Sequence, residues 1–394
     1  MKITLSDRIQ RVKPSPTLAV TALASQLRAQ GRDVIGLAAG EPDFDTPEFV
    51  KQAAIDAIKQ GHTKYTAVDG TPGLKQAIIN KFKTENGLDY QADQILVSVG
   101  GKQAIYNLCQ TLLNEGDEVI IPAPYWVSYP DIVKLADATP VIVDGDISQS
   151  FKITPEQLEA AITDKTKLFV LNSPSNPSGK AYSRDELRAL GDVLLKHPKV
   201  VIISDDIYEH IVWTDEGFNN ILNVCPELND RTVVINGVSK AYSMTGWRIG
   251  YSGGPAEIIK GMKKMQSQST SNPTSIAQYA AQAALEGDQS VLKEMCEVFE
   301  QRHNFVYESL NSINSVECLP SDGTFYSFPS FHKIIDRMDG IEDDVQLAQL
   351  ILEKGDVALV PGSAFGLSGY LRLSYATDME SLEKALSRIK QIVE

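Results

Sequence analysis

Cysteine and positive charge are both scarce in this chain. The 394 residues include 4 cysteines, far apart and without a C-x-x-C pair, which argues against a disulfide framework or a zinc site and favours a reducing compartment. Lys and Arg number 37 against 51 Asp and Glu, and the net charge of −14 argues against nucleic acid as the main partner. No stretch approaches ~18 consecutive apolar residues and no apolar signal segment begins the chain. We therefore expect a cytoplasmic protein that binds neither nucleic acid nor membrane.

Two phosphate-binding motifs are missing as well. The sequence contains neither G-x-G-x-x-G nor G-x-x-x-x-G-K-[ST]. The first motif brings a backbone close to a dinucleotide, and the second surrounds the phosphates of a nucleoside triphosphate. Their absence argues against both classes of nucleotide site.

Seven short apolar, β-branched runs alternate with segments that carry helix start signals. One such signal is a Thr-Pro pair, at residues 46–47, 71–72 and 154–155, and another is the S-x-x-E capping box of Ser183 and Glu186. Runs that are apolar on both faces and alternate with helices predict a parallel or mixed sheet that helices cover on both sides. The runs occupy residues 95–99, 118–122, 140–144, 167–172, 200–204, 232–236 and 249–253.

The rest of the chain predicts a second, smaller domain. We expect a large domain over residues 48–275, a long linking helix over 276–313, and a small C-terminal domain over 314–394 that the N-terminal segment 1–47 joins. The small domain is predicted to have strands near 316–319, 324–328, 357–360 and 370–375, and helices near 343–354 and 378–393. The fold class is α/β, with a three-layer α/β/α domain around a mixed sheet and a smaller α+β domain.

Polar residues follow several predicted strands, which is where ligands bind in open α/β sheets. After the first run, Gly101 and Lys102 begin a helix whose N-terminus could hold an anion, although glycine turns are often purely structural. Asp205 ends another run, where a buried acid needs a cation or a metal. No His or Cys is spaced to complete a metal site, which leaves only oxygen ligands open. Lys240 and Arg248 follow a further run, and a lysine among apolar neighbours is a candidate nucleophile.

Seven motifs occur in a fixed order along the chain. They are GEPDFDTP (40–47), KYTAVDGTPGL (64–74), PYWVSYP (124–130), NSPSNPSG (172–179), SDDIYE (204–209), SKAYSMTGWRIGY (239–251) and LRLSYA (371–376). In this order they resemble the class I, pyridoxal-phosphate-dependent aminotransferases of fold type I, and within them the bacterial aspartate aminotransferases of subclass Ib. The resemblance extends from about residue 8 to the end of the chain. It implies pyridoxal 5'-phosphate as cofactor and a homodimer with shared active sites.

The resemblance assigns cofactor roles to single residues. Lys240 matches the catalytic lysine that bonds to the cofactor's aldehyde. Asp205 matches the acid that keeps the pyridine nitrogen protonated, so that the ring can accept electrons. Tyr208 and Asn176 match the residues that hydrogen-bond the cofactor's phenolic oxygen. The other cofactor matches are Trp126 on the ring, Tyr65 reaching the phosphate from the other subunit, and a phosphate cradle of Gly101, Lys102, Ser239 and Arg248.

A second set of matches concerns amino acid and 2-oxo acid substrates. Arg372 matches the arginine that binds the α-carboxylate. An isolated arginine in a strand-like segment also needs an anionic partner, which is consistent with that role. Further substrate contacts match Gly40, Trp126 and Asn176. The side-chain carboxylate of a dicarboxylic substrate would be bound by the matches Lys102, Ser15 and Thr17.

The sequence departs from related patterns at two positions. Many relatives carry a serine as a phosphate ligand where this chain has Gly237, so the cradle loses a hydroxyl. In subclass Ia an arginine of the partner chain binds the side-chain carboxylate, and this chain has Ser267 there. Lys102 would take over that role.

The resemblance implies transfer of the amino group of L-aspartate to 2-oxoglutarate by a ping-pong route, giving oxaloacetate and L-glutamate. A bifunctional aspartate/prephenate aminotransferase, or one for another amino acid, stays an alternative. A lyase such as aminocyclopropane-carboxylate synthase shares the lysine, aspartate and arginine and is a more remote one. A cofactor-binding regulatory module would carry an additional basic DNA-binding domain, whereas this chain is acidic overall and has only a short segment before the first of the seven motifs.

Overall fold

The computed structural model describes residues 3–14 and 16–394, so the predicted substrate contact Ser15 lies outside the described residues. The strands are β1 (Ile35–Gly36), β2 (Ile95–Ser98), β3 (Glu118–Ala123), β4 (Thr139–Asp144), β5 (Thr166–Asn172), β6 (Val201–Asp205), β7 (Thr232–Gly237), β8 (Gly250–Gly253), β9 (Tyr326–Ser327), β10 (Val357–Ala358), β11 (Val360–Pro361) and β12 (Leu371–Ser374).

The α-helices are α1 (Asp7–Gln10), α2 (Pro16–Ala29), α3 (Glu48–Lys59), α4 (Pro72–Asn86), α5 (Gly101–Leu112), α6 (Tyr129–Leu135), α7 (Pro155–Ala161), α8 (Arg184–Lys196), α9 (Ile221–Val224), α10 (Ala256–Ser267), α11 (Ser275–Glu286), α12 (Ser290–Asn311), α13 (His332–Ile335), α14 (Asp344–Gly355) and α15 (Met379–Val393). In the described part of the chain, none of them combines the length and the apolar character needed to cross a bilayer.

A seven-stranded mixed sheet, in the order β2-β8-β7-β6-β5-β3-β4, lies at the centre of the fold. β8 runs antiparallel to both of its neighbours, and the other neighbouring strands are parallel. Each of the seven apolar runs forms one of these strands. The predicted mixed α/β sheet is therefore confirmed.

The side chains of each central strand alternate between two hydrophobic cores. On β5, Phe169 and Leu171 pack into a core with α4, α8 and α11, whereas Leu168 and Val170 pack into a second core with α5, α6 and α10. Strands buried on both faces need apolar residues at every position, which explains their continuous apolar runs. The three-layer α/β/α arrangement is confirmed.

Both ends of the chain meet in a smaller α+β region with its own core. β1 pairs in parallel with β10, which brings Ile35 opposite Val357. β9 and β11 flank β12 in an antiparallel sheet of three strands. The aromatic and aliphatic core of this region includes side chains of β1, α12, α14 and α15.

Two details of the predicted pattern are wrong. The helical stretch 276–313 is not one long helix, because α11 ends at Glu286 and α12 begins at Ser290. The backbone is extended at Gly287, where a Cβ would collide with Phe49, and Asp288 accepts a hydrogen bond from the Ser290 amide. The predicted strand 316–319 is only an isolated bridge at Glu317, because a single residue there finds a pairing partner.

Candidate active site

A cleft of about 390 Å³ lies at the carboxyl edge of the large sheet and reaches the three-stranded sheet. Carboxyl ends of parallel strands meet at one edge, so residues distant in sequence come together there. All of the sequence-predicted site residues line this cleft except Ser15 and Tyr65. Those that line it are Thr17, Gly40, Gly101, Lys102, Trp126, Asn176, Asp205, Tyr208, Ser239, Lys240, Arg248 and Arg372.

Lys240 follows β7 and points its amine into the cleft. The amine donates a hydrogen bond of 2.5 Å to the carbonyl oxygen of Gly40. Burial lowers the pKa of Lys240 to about 8. The negative charge of Glu41 opposes this shift, whereas the positive charges of Arg372 and Arg248 add to it. An appreciable fraction of the amine is therefore neutral near neutral pH, which a nucleophile and base requires.

Asp205 is buried at the end of β6. Burial raises the pKa of its carboxyl to about 6, although the hydroxyl of Tyr129 opposes the shift by donating a hydrogen bond of 2.5 Å to Oδ2. The amide of Ile207 donates to the other carboxyl oxygen over 3.4 Å. An acid held in this way gains strongly from a cationic group placed beside it.

The start of α5 and the side chain of Arg248 form an anion-binding corner. Gly100 precedes the helix with φ +80°, a conformation that glycine adopts without strain, and a Cβ there would overlap the Arg248 guanidinium. That guanidinium donates to the carbonyl oxygens of Thr245 over 2.8 Å and Val99 over 3.4 Å. The amides of the first helical turn have no acceptor within the helix, so this corner suits an anion.

Lys102 lies in the same turn of α5, with its amine 4.9 Å from the centre of the Trp126 ring. Burial lowers the pKa of Lys102, and the positive charge of Arg248 lowers it further. The indole of Trp126 also meets the Tyr129 ring edge to face, at 5.3 Å between centres. Trp126 therefore connects Lys102 with the tyrosine that bonds Asp205.

Gly237, where many relatives carry serine, lies at the end of β7. A Cβ there would stand 3.0 Å from both the Gly250 Cα and the Ile249 carbonyl oxygen. Gly250 is the first residue of the paired strand β8, and Ile249 directly precedes it. A side chain at Gly237 would therefore require the backbone of these two residues to shift slightly.

Arg372 is buried on β12, and its guanidinium donates to the carbonyl oxygen of Ala38 over 2.7 Å and to Asn176 Oδ1 over 2.9 Å. Its Nε is buried and has no hydrogen-bond partner among the described residues. Over residues 3–14 and 16–394, no carboxylate lies within ion-pair distance of this side chain. Buried charges are costly unless paired, so the arrangement calls for an anionic ligand in the cleft.

Asn176 and Tyr208 both line the cleft. The backbone amide of Asn176 donates to Asn172 Oδ1 over 3.0 Å. The side-chain Nδ2 of Asn172 in turn donates to the carbonyl oxygen of Asp205 over 2.9 Å. The hydroxyl of Tyr208 lies 3.0 Å from that of Tyr326. The bond from Asn172 to Asp205 joins the end of β5 to the end of β6, and the tyrosine pair joins the loop after β6 to β9.

The sequence analysis missed three residues of this site. Tyr129 and Asn172 belong to motifs that were recognised, but a motif does not reveal which of its side chains reaches a neighbouring strand. Tyr326 lies in no motif, and only the pairing of β9 with β12 brings it to the cleft. A polar residue just after an apolar run was a usable signal for Asn172 alone.

The predicted contacts Thr17 and Tyr65 lie in different environments. The hydroxyl of Thr17 is buried at the cleft without a partner among the described residues. Tyr65 is 92% exposed and lies outside the cleft of its own chain. Its predicted contact with a phosphate would therefore have to be made in another subunit.

Comparisons with known proteins agree with this geometry. The model of the family "Aminotransferase class I and II" matches residues 32–389. The aspartate/prephenate aminotransferase of Nitrosomonas europaea is 58% identical over 99% of both chains, and the aspartate aminotransferase of Geobacillus stearothermophilus is 52% identical over 99% of both. The solved aspartate aminotransferase of Rhizobium meliloti has a TM-score of 0.96 at 49% identity, covering 100% of this chain and 99% of its own. The chain belongs to the class I and II aminotransferases.

Proposed function

We propose that this enzyme is an aspartate aminotransferase that transfers the amino group of L-aspartate to 2-oxoglutarate with pyridoxal 5'-phosphate as cofactor. The observation that carries the proposal is the cleft itself, where the buried amine of Lys240 shares one space with the unpaired cation of Arg372 and the cation of Lys102. A dicarboxylic amino acid offers the amine and the two anions that such a space accepts.

The residues of the cleft fit the cofactor by their chemistry. Gly101, Ser239 and Arg248 would hold its phosphate at the anion-binding corner. Glycine at position 100 keeps this corner open, because a Cβ there would overlap the Arg248 guanidinium. Asp205 would face the pyridine nitrogen, where its buried carboxylate favours the protonated form. The hydroxyl of Tyr208 and the side-chain amide of Asn176 would bind the phenolic oxygen, and Trp126 would stack on the ring. When bound, the cofactor supplies an electron sink for the bond to the substrate's Cα.

Lys240 would move the proton in each half of the reaction. Its pKa of about 8 leaves free amine at neutral pH, so the nitrogen can accept the proton from Cα and later return it. The hydrogen bond to the Gly40 carbonyl holds the amine toward the cleft. One residue thus acts first as a base and then as an acid.

Four cationic or hydroxyl groups would orient the substrate. Arg372 would bind the α-carboxylate through its guanidinium, because this side chain lines the cleft and has no carboxylate partner among the described residues. Lys102 and the buried hydroxyl of Thr17 would bind the side-chain carboxylate, and Ser15 would assist them. A related solved structure is the aspartate aminotransferase of Thermus thermophilus with maleate, a dicarboxylate, at 42% identity and a TM-score of 0.93, with 99% of this chain and 100% of that chain covered.

The active enzyme would be a homodimer. Tyr65 is fully available on the surface, and a second subunit would bring such a tyrosine to the phosphate corner. Exposed apolar side chains near the N-terminus, Ile3, Leu5 and Ile9, would also be covered by a partner. Within each subunit, residues 48–275 would bind the cofactor, and residues 314–394 with the N-terminal segment would supply substrate contacts such as Arg372 and Gly40.

The test is a screen of amino donors with the purified enzyme and 2-oxoglutarate as acceptor. We expect aspartate to be used far better than alanine or phenylalanine, with oxaloacetate formed in step with glutamate. The Lys240→Ala variant, loaded with cofactor, should show no turnover. Steady-state turnover by that variant, or no preference for aspartate, would contradict the proposal.

Prephenate is a second candidate acceptor, favoured by the names of two relatives. The Nitrosomonas europaea protein at 58% identity and the Cereibacter sphaeroides protein at 56% are both aspartate/prephenate aminotransferases. Aspartate supplied with prephenate instead of 2-oxoglutarate would distinguish the two. Formation of oxaloacetate in that mixture would establish the dual specificity.

A further inference from the structure

Tyr326 lines the cleft although no sequence motif contains it. It is fully buried on β9, where it lies opposite Ser374 of the antiparallel strand β12. Arg372 precedes Ser374 by two residues, so its side chain emerges on the same face of the sheet. Tyr326 and Arg372 are therefore diagonal neighbours whose contact is set by the strand register.

The ring of Tyr326 contacts the charge of Arg372. The guanidinium carbon lies 4.4 Å from the centre of the Tyr326 ring and 4.9 Å from that of Phe365. In a desolvated site, the face of an aromatic ring stabilises a cation that has no carboxylate partner. The tyrosine ring thus holds the guanidinium of Arg372 in place at the cleft.

The hydroxyl of Tyr326 reaches the other part of the site. It lies 3.0 Å from the hydroxyl of Tyr208, and Gly40 is so close that a Cβ there would stand 3.0 Å from it. Either hydroxyl of this pair can donate, so the Tyr326 hydroxyl restricts the orientation of the Tyr208 hydroxyl. When Tyr326 donates, the proton of Tyr208 is free to point into the cleft.

We propose that Tyr326 is a positioning residue that couples the arginine for the α-carboxylate to the phenol that faces the cofactor. This inference rests on the proposed function, because it takes the α-carboxylate as the ligand of Arg372. The ring holds the guanidinium, and the hydroxyl orients the Tyr208 hydroxyl. A carboxylate that neutralises Arg372 would then change the hydrogen bonding of the Tyr208 hydroxyl through one intervening side chain, that of Tyr326.

Two kinds of substitution separate the ring from the hydroxyl. Tyr326→Phe keeps the ring and removes only the hydroxyl, whereas Tyr326→Leu removes the ring. Tyr326→Met serves in its place if the leucine variant does not fold. The matched control is Tyr375→Phe, since Tyr375 is equally buried, does not line the cleft and donates its hydroxyl to the Thr324 carbonyl oxygen.

Three measurements test the proposal. They are the binding of maleate to the holoenzyme, steady-state kinetics with aspartate and alanine, and the pH titration of the bound cofactor's absorbance. We expect the ring-deleting variant to bind maleate roughly tenfold more weakly and to raise KM for both donors alike, because both carry an α-carboxylate. Tyr326→Phe should keep both KM values within about twofold, lower kcat about three- to tenfold and shift the midpoint of the absorbance titration.

The outcomes distinguish this inference from the proposed function. Maleate affinity unchanged in the ring-deleting variant, or a Tyr326→Phe titration that matches the Tyr375→Phe control, overturns the role of Tyr326. A wild type that uses alanine well but not aspartate overturns the proposed substrate instead. In that case the effect of ring deletion on KM for alanine still decides the role of Tyr326.

Discussion

Tyr129 donates a hydrogen bond of 2.5 Å to the buried carboxyl of Asp205, although the two residues lie 76 positions apart in the chain. Tyr129 begins the helix after β3, and Asp205 ends β6. The bond holds down the pKa of an acid that burial raises to about 6. It therefore favours the ionised form that the proposed contact with a pyridine nitrogen requires.

Tyr129→Phe should destabilise the cofactor-free protein more at high pH than at low pH. Because the folded pKa of Asp205 lies above the unfolded value, the stability gained from burying the neutral acid is present below pH ~4 and is lost as pH rises through ~6. Loss of the hydroxyl raises that pKa further, so the penalty grows over this range to about 1.5–3 kcal/mol. Urea unfolding at pH 4.5 and pH 8 measures this loss of unfolding free energy. A loss that does not depend on pH would contradict this account, and so would the same pH trend in an Asp205→Asn background.

Gly100→Ala should weaken binding of the phosphate-bearing cofactor. The methyl group would overlap the guanidinium of Arg248 and displace it from the anion corner. Loss of one charge-assisted contact predicts a roughly ten- to a hundredfold higher dissociation constant. Gly116→Ala is the matched control, because Gly116 has a similar φ of +92° with no other atom within 4 Å of its Cβ. Equal affinity in the two variants would show that backbone strain, and not Arg248, accounts for any effect.

Much of the site could be predicted because motifs fix residues relative to their own strand end. Asp205 ends β6 and Lys240 closely follows β7, and parallel strands bring such ends to one edge whatever their order. Arg248 reaches the same edge because it precedes β8, which runs antiparallel to β7. Tyr326 could not be predicted, because its place depends on the register between β9 and β12, which a short strand does not encode in its own pattern.

The large sheet was predictable for a related reason, and the connections were not. Strands buried on both faces, such as β3, β5, β6 and β7, leave a continuous apolar signature. The edge strand β4 is partly exposed, and its β-branched residues marked it instead. The break between α11 and α12 depends on the packing of Phe49 against Gly287, a contact between residues more than two hundred positions apart. Helical periodicity contains no information on such a contact.

Lys102→Ala should lower kcat/KM for aspartate far more than for alanine or phenylalanine. The lysine would bind the carboxylate that only a dicarboxylic donor carries, and a charge-assisted hydrogen bond of about 1.5–3 kcal/mol corresponds to a roughly ten- to a hundredfold loss. Lys134→Ala, on α6 outside the cleft, removes the same charge as a control. A uniform loss across donors would assign Lys102 to cofactor binding alone.

Lys240→Met should raise the melting temperature of the cofactor-free protein near neutral pH. Because burial lowers the folded pKa of Lys240 to about 8, the protein buries an ammonium at a cost below that pH, and the cost disappears above the unfolded pKa of 10.5. Methionine has a similar length and no charge, so we expect a gain of roughly 2–4 °C at pH 7 that shrinks toward pH 10.5. Scanning calorimetry across this range measures it, with Lys59→Met on α3 as control for the loss of an exposed charge. A gain that does not change with pH would mean that packing, and not titration of Lys240, produces it.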